Sequence, residues 1–385
     1  MNDSTQCNIE GLTLTGLDGS NPLAFLAALG VLRTLSLAWP GQEVNMYWAQ
    51  CSGAWRPVVR TTEPPSPPMT AAAIAKHLRC GFEPNSAAKL DCEKIRKGYE
   101  KIKTQIKKKR EDINKRSISP EERKHALMTE LEPLEEEERK SRAEWLEMLS
   151  SVVPFPELRL GKHLDSTCHE FRGAAVDILQ CSSLRGREQL DMLAAFASDG
   201  CFDEKSKRIQ ATPFCFATGS GHQFFLDTAR QLVSRVTQER IYAALFEPWI
   251  HVDETLSMRW DPVEDRRYAL MSMDPTDSKN KATTNWAANL VAYRGLQLLP
   301  SFPTQSGLKT AAFPLRQYFV WPIWEGPLSV EVVRSILLLP ALAAQEIDLA
   351  AIRALGLKAV YRAERIIVGN PPLHKVNFSP ATALF

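Results

Sequence analysis

The 385-residue sequence has no secretory leader pattern and no apolar run long enough to cross a bilayer as a helix, so a cytoplasmic protein is the expectation. It has no C-x-x-C pair. Its eight cysteines, at 7, 51, 80, 92, 168, 181, 201 and 215, are scattered, which argues against both a disulfide framework and a zinc ribbon. It has almost no net charge, with 47 basic residues against 45 acidic, so attraction of nucleic acid through bulk charge is not expected. It lacks a G-x-G-x-x-G fingerprint, a phosphate loop with Lys-Ser/Thr, clustered carboxylates at two-metal spacing, and any internal repeat. No catalytic residue, cofactor or metal is assigned on these grounds.

What the sequence does have is one dominant apolar helix. In Asp18-Gly-Ser-Asn-Pro-Leu-Ala-Phe-Leu-Ala-Ala-Leu-Gly-Val-Leu-Arg33, running on to Leu37, Ser20 or Asn21 can cap and Pro22 suits the first turn. From Leu23 onward the helix is apolar nearly all round, which places it inside a core. Arg33 interrupts it, while Gly30 and the alanines let a neighbour approach closely.

The flanking pattern predicts an α+β fold. Ile9–Leu17 alternates like a strand, 43–51 and 54–61 read as a hairpin turning at Ser52-Gly53, prolines 64–68 make a stiff connector, and 70–79 reads as a second helix. With Glu157–Gly161 returning as a strand, the order is the βαββαβ ferredoxin-like one. The expected organisation is 1–92 with 150–165 as an N-terminal α+β domain, 93–149 as an antiparallel coiled-coil hairpin insertion, 166–255 as a mainly helical region and 256–385 as a mixed α/β C-terminal region. In the insertion Ile95, Tyr99, Ile102, Ile106 and Ile113 form a heptad seam, matched by Leu127, Leu131, Leu134, Trp145 and Leu149, with a kink expected at Pro133.

Charge in that hairpin is segregated. Residues 93–116 carry eleven Lys/Arg and four acids, and 121–148 carry five and ten. The run Lys107, Lys108, Lys109, Arg110 is a candidate nucleic-acid contact, although pairing with the acidic arm is the better account of it. The insertion holds 16 basic and 14 acidic residues, so 31 of each lie elsewhere and contacts outside it must come from local clusters.

The middle of the chain offers several such clusters. His163, Asp165, Cys168, His169 and Glu170 supply metal-ligand types, but their spacing fits no zinc pattern. Arg185 and Arg187, in an expected loop 182–187, suit phosphate contact, although an ordinary solvated loop accounts for them better. Thr218-Gly-Ser-Gly-His222 opens a helix after Phe214-Cys215-Phe216, a weak anion-turn signal. Arg266 and Arg267 sit beside Glu264 and Asp265 and read as internal ion pairs, whereas Lys279 and Lys281 stand in a polar loop. Asn285 and Asn289 share a helix face where amides suit base contact, although Asn285 also suits a cap. The aromatic run Tyr318, Phe319, Trp321, Trp324 fits either base stacking or a core.

Two combinations carry a resemblance. Leu17-Asp-Gly-Ser-Asn-Pro-Leu-Ala-Phe-Leu-Ala-Ala-Leu-Gly-Val-Leu-Arg33 resembles the opening of proteins of type I-G (formerly type I-U) CRISPR systems, and Arg259-Trp-Asp-Pro-Val-Glu-Asp-Arg-Arg-Tyr-Ala-Leu270 with Phe319-Val-Trp-Pro-Ile-Trp324 resembles their second half. The resemblance implies a non-catalytic subunit or accessory of an RNA-guided antiviral DNA-interference complex. Its partners would be other effector subunits, a helicase-nuclease, and guide RNA or target DNA. The motifs are structural, and the charged hairpin lies outside them. An enzyme acting on a nucleotide or small substrate, through 163–170 or 219–222, is the rival class. A coiled-coil adaptor without nucleic-acid contact is the third. If nucleic acid is bound, the expected contacts are Lys279, Lys281, Arg185 and Arg187, then Lys107 to Arg110, with Asn285 and Asn289 reading bases.

Overall fold

The computed structural model describes residues 10–180, 184–216, 224–262, 283–314, 317–344, 348–368 and 375–384. The chain forms two compact units, one of residues 82–161 and one of residues 1–81 with 162–385. It is mixed α+β, helices outweighing small antiparallel sheets. Among the described residues no helix is long and apolar enough to cross a membrane.

The larger unit starts with β1 (Leu12–Thr13), α1 (Pro22–Ala38), β2 (Asn45–Cys51), β3 (Ala54–Arg60) and α2 (Pro67–His77). The expected strand at 9–17 thus shrinks to two residues. Asn21 is the cap that α1 uses: its Oδ1 accepts the Ala24 N–H at 3.1 Å. Residues 22 to 35 of α1 are all buried, as a helix without a polar face requires. The sheet order is β1-β3-β2, with Leu12 opposite Val59 and Asn45 opposite Arg60. Ser52 (φ 51°) and Gly53 (φ 78°) make the tight turn between β2 and β3, both in the left-handed region such two-residue hairpins demand.

The 82–161 unit contains α3 (Ser86–Lys115), α4 (Pro120–Ala126) and α5 (Glu132–Val152). Helices α3 and α5 run antiparallel: Arg116 pairs with Glu130, Arg110 with Glu135, and Tyr99 stacks on Trp145 at 5.5 Å. Every residue of the two expected apolar seams is buried or half-buried. Ser119 and Glu122 close a reciprocal cap at the start of α4. Pro133 does not simply kink α5. One π-helical turn, Leu127–Leu131, precedes it, because the missing N–H breaks the hydrogen-bond ladder there. The strand expected at Glu157–Gly161 is not formed: Pro156–Leu160 is a 3-10 turn. Pro156, with fixed φ and no donor, starts a helical turn more readily than it joins a sheet, and the sheet β1-β3-β2 remains three-stranded.

The rest of the larger unit comprises α6 (Cys168–Gln180), α7 (Leu184–Phe196), α8 (Phe225–Arg235), α9 (Gln238–Phe246), β4 (Asp253–Glu254), β5 (Thr283–Thr284) and α10 (Trp286–Gly295). Then follow β6 (Ser301–Thr304), β7 (Gly307–Thr310), β8 (Tyr318–Trp324), α11 (Val330–Ile336), α12 (Pro340–Ala343), α13 (Leu349–Ala354), β9 (Leu357–Val368), β10 (Lys375–Phe378) and β11 (Thr382–Ala383). Strand β9 organises the second sheet, pairing with β8, β10 and β11, all antiparallel. Helix α10 is the neighbour that Gly30 admits. A Cβ on Gly30 would lie 1.9 Å from the Val291 carbonyl oxygen, and one on Gly295 would lie 2.2 Å from that of Leu26. The two helices therefore cross backbone to backbone. On the other side of α1, Phe25 stacks on Trp48 at 5.7 Å and meets the edge of Trp324. Phe319, Trp321 and Trp324 are buried, so the aromatic run of β8 is core and not a stacking platform.

Candidate functional site

The turn that starts α1 gathers polar groups from across the chain. Asp18 Oδ1 accepts from both the backbone N–H and the hydroxyl of Ser20, each at 2.9 Å. Asn21 Nδ2 donates to Asp261 Oδ1 at 3.0 Å, and the other Asp261 oxygen is 2.8 Å from His251 Nε2. Asp261 is 0% exposed, so these contacts supply the polar partners a buried carboxylate needs. Trp321 Nε1 donates to the Gly19 carbonyl at 2.8 Å. Beside this network lies a cavity of about 280 Å³ lined by Asp18, Asn21, Arg56 and Trp249 among others. The chain leading to Asp261 is held in an uncommon conformation: His251, Thr255, Leu256 and Arg259 have φ of 44°, 63°, 51° and 63°. Non-glycine residues sit there only when their surroundings hold them.

A second cavity, of about 240 Å³, is lined by His163, Leu164, Thr212, Cys215 and Arg365 among others. It brings His163, from the 163–170 cluster, to the Phe214-Cys215-Phe216 run. The cluster itself disperses into structural roles. His163 lies 3.3 Å from Asp165, which also pairs with Arg208 at 2.8 Å. Glu170 and Thr167 form a reciprocal cap on α6, and the Cys168 thiol donates to the Asp199 carbonyl at 3.2 Å. Among the described residues no three of His, Cys, Asp and Glu gather into a metal-binding group. Burial pushes the Cys215 thiol up to about 12, which keeps it protonated at neutral pH and a poor nucleophile.

A third assembly surrounds α7. Arg33 Nη2 donates to Asp191 Oδ2 at 2.7 Å, Arg334 Nη2 to Asp191 Oδ1 at 2.7 Å, and Arg187 Nε to the same Oδ1 at 3.0 Å. One turn earlier, Glu188 pairs with Arg294 and lies 3.2 Å from His77 Nε2. Gln297 bridges the two carboxylates' partners, accepting from Arg33 Nε at 3.0 Å and donating to Glu188 at 3.3 Å. Burial by itself would raise the Glu188 carboxyl; Arg294 and then His77 outweigh it and hold it below the usual carboxylate range. Residues from α1, α2, α7, α10, α11 and the turn after α10 thus meet in one ion network.

The expected nucleic-acid contacts fall in different settings. Lys279 and Lys281 lie outside the described residues, as do Arg266, Arg267 and the 218–222 run. Helix α7 begins at Leu184, so Arg185 and Arg187 belong to its first turn and not to a loop. The side chain of Arg185 is outside the described residues, while Arg187 is 68% exposed and joins the network above. Asn285 caps α10, accepting the Ala288 N–H at 3.0 Å. Asn289 is fully buried and its amide is engaged by Met258, Thr284 and Asn285, which corrects its reading as a base contact. On α3, Lys107 and Lys108 are exposed, whereas Lys109 pairs with Glu130 at 2.8 Å and Arg110 with Glu135 at 2.6 Å. Half of the basic run therefore meets the acidic arm. Asp191, Glu188, Arg294, Arg334 and His251 were not singled out from sequence. Arg33, a lone charge in an apolar helix, was the visible trace of their network.

No family model and no curated protein sequence matches this chain.

Proposed function

We propose that the chain is a non-catalytic subunit or accessory of an RNA-guided DNA-interference complex of the type I-G CRISPR kind, touching guide RNA, target DNA or the helicase-nuclease. One observation carries this reading: the described parts of the three stretches that bear the resemblance, residues 17–33, 259–262 and 319–324, meet at a single turn. Asn21 bonds to Asp261, and Gly19 accepts from Trp321, across separations of 240 and 302 residues. A chance likeness in three distant stretches gives no reason for them to assemble in one place. Their contacts are a helix cap, a buried carboxylate and an indole-to-carbonyl bond, groups that build a scaffold. Exposed Lys107 and Lys108 on α3 and Arg187 on α7 supply cations for phosphate.

The rival reading, an enzyme acting on a nucleotide or small substrate, draws on the cavity of about 240 Å³ beside His163, Thr212 and Arg365. Co-expression with the products of neighbouring genes, followed by purification and analysis of bound material, separates the two. The expected result is a stable assembly containing RNA. A chain that purifies alone with a stoichiometric nucleotide or metal, and turns over a small substrate, overturns the proposal.

A further inference from the structure

We propose that the outer edge of the Arg187–Asp191–Arg334 cluster is a binding site for a phosphate group. The ion network around α7 is unbalanced. Among the described residues, four guanidiniums, of Arg33, Arg187, Arg294 and Arg334, and the His77 ring face two carboxylates, of Glu188 and Asp191. Arg294 is matched by Glu188, so three guanidiniums share Asp191. Arg33 fills one of its oxygens, and Arg187 and Arg334 both donate to the other. Two like charges on one oxygen repel each other, with screening strongest at the exposed Arg187 and weaker at Arg334.

The donors are not used up. Arg334 Nη2 also donates to the Gln297 carbonyl at 2.8 Å, and its Nε is enclosed with no hydrogen-bond partner among the described residues, so the open donors are chiefly those of Arg187. Arg187 reaches Asp191 through Nε, leaving its two Nη groups without a protein partner among those residues. Side-chain exposure rises from 10% at Arg33 to 23% at Arg334 and 68% at Arg187, so the excess charge opens to solvent at its outer end. A guanidinium fork binds two oxygens at once, and a phosphate has enough oxygens to serve two forks, where a carboxylate has enough for one. Free phosphate compounds and the phosphodiester of a nucleic acid share this chemistry. The inference stands on the charge balance and does not rest on membership of a guided complex.

The test uses the full chain without partners. Pyrophosphate is titrated by calorimetry, and a labelled single-stranded 20-mer of DNA or RNA is titrated by anisotropy across a salt series. The comparison is wild type against Arg187→Ala and Arg334→Gln, with Lys140→Ala, an exposed lysine with no assigned role, as control. We expect saturable pyrophosphate binding, weakened tenfold or more in Arg187→Ala and unaffected in the control. If a phosphodiester is the natural occupant, the oligonucleotide salt slope also falls, by about 0.7 to 0.9 per contact removed. A pyrophosphate effect with an unchanged oligonucleotide slope assigns the site to a free phosphate compound. Arg334→Gln removes a packed ion-pair partner and can lower stability, but Arg187 is exposed, so Arg187→Ala retains the wild-type melt. Binding of both probes unchanged in Arg187→Ala, or of neither by wild type, overturns the inference. Because no partner is present, that failure leaves the assembly proposal to its own test.

Discussion

Two ion pairs of nearly equal length show how differently the two units are held together. Arg33 and Asp191 meet at 2.7 Å with their side chains 10% and 8% exposed, while Arg110 and Glu135 meet at 2.6 Å with 56% and 41% exposed. The first sits in low dielectric, where removing one partner strands a buried charge; the second is screened and contributes little. The larger unit couples buried aromatics, a backbone-close helix crossing and desolvated polar contacts. The 82–161 unit has one apolar seam with exposed pairs along its rim. Distance alone does not rank such contacts; desolvation does.

That contrast can be broken most severely at the helix crossing. Gly30→Leu sets side-chain atoms against the Val291 carbonyl oxygen, and because backbone cannot yield as a side chain can, loss of well over 3 kcal/mol is expected. A denaturant melt of the variant should show the larger unit unfolded or molten, with the helicity of residues 82–161 retained. Loss of all helicity at once would mean that the two units do not melt separately. Phe25→Ala comes next, at about 3 to 5 kcal/mol, since it empties the space between Trp48, Trp321 and Trp324. Asp261→Ala strips the partner from Asn21 and His251 and should cost about 1 to 3 kcal/mol, read from the same melt.

Acid sharpens the comparison further. Glu188 is held below the ordinary carboxylate range when folded, so its contribution is fully present above about pH 4.3 and is lost as pH falls through its folded value. Stability measured from pH 6 down to pH 3 should decline in wild type and decline less steeply in Glu188→Gln, which starts lower. Identical slopes would show that Glu188 is not the responsible group. At the small end, Arg110→Ala should change stability by less than about 1 kcal/mol, and 1 M salt should erase the difference.

The sequence signalled elements better than encounters. The burial of α1 was legible because it has no polar face, and Gly30 announced a close neighbour without saying which. The seams of α3 and α5 were legible because every third or fourth residue is apolar. The 157–161 stretch misled because Leu158 and Leu160 alternate like a strand while Pro156 favours a helical turn. Asn289 looked available because it shares a face with Asn285; the partners that bury it, Met258 and Thr284, come from other elements. The α7 network was illegible for the same reason. Arg33 stands out as a lone charge in an apolar helix, but Asp191 and Arg334 look like ordinary surface charges until three segments, up to about 300 residues apart, are brought together.

That separation has a consequence for how the protein is made. Helix α1 leaves the ribosome well before its backbone-close partner α10 and the indole that bonds to Gly19: Val291 follows Gly30 by 261 positions and Trp321 follows Gly19 by 302. At about 5 to 20 residues per second, the face of α1 that these later segments cover waits on the order of 15 to 60 seconds, while Trp48 can already pack on Phe25. Transiently exposed apolar surface favours aggregation, so unassisted overexpression should lose part of the chain to inclusion bodies, read as the insoluble fraction. Slowing translation or lowering temperature does not shorten the wait, whereas supplying a ribosome-associated chaperone protects α1 throughout it.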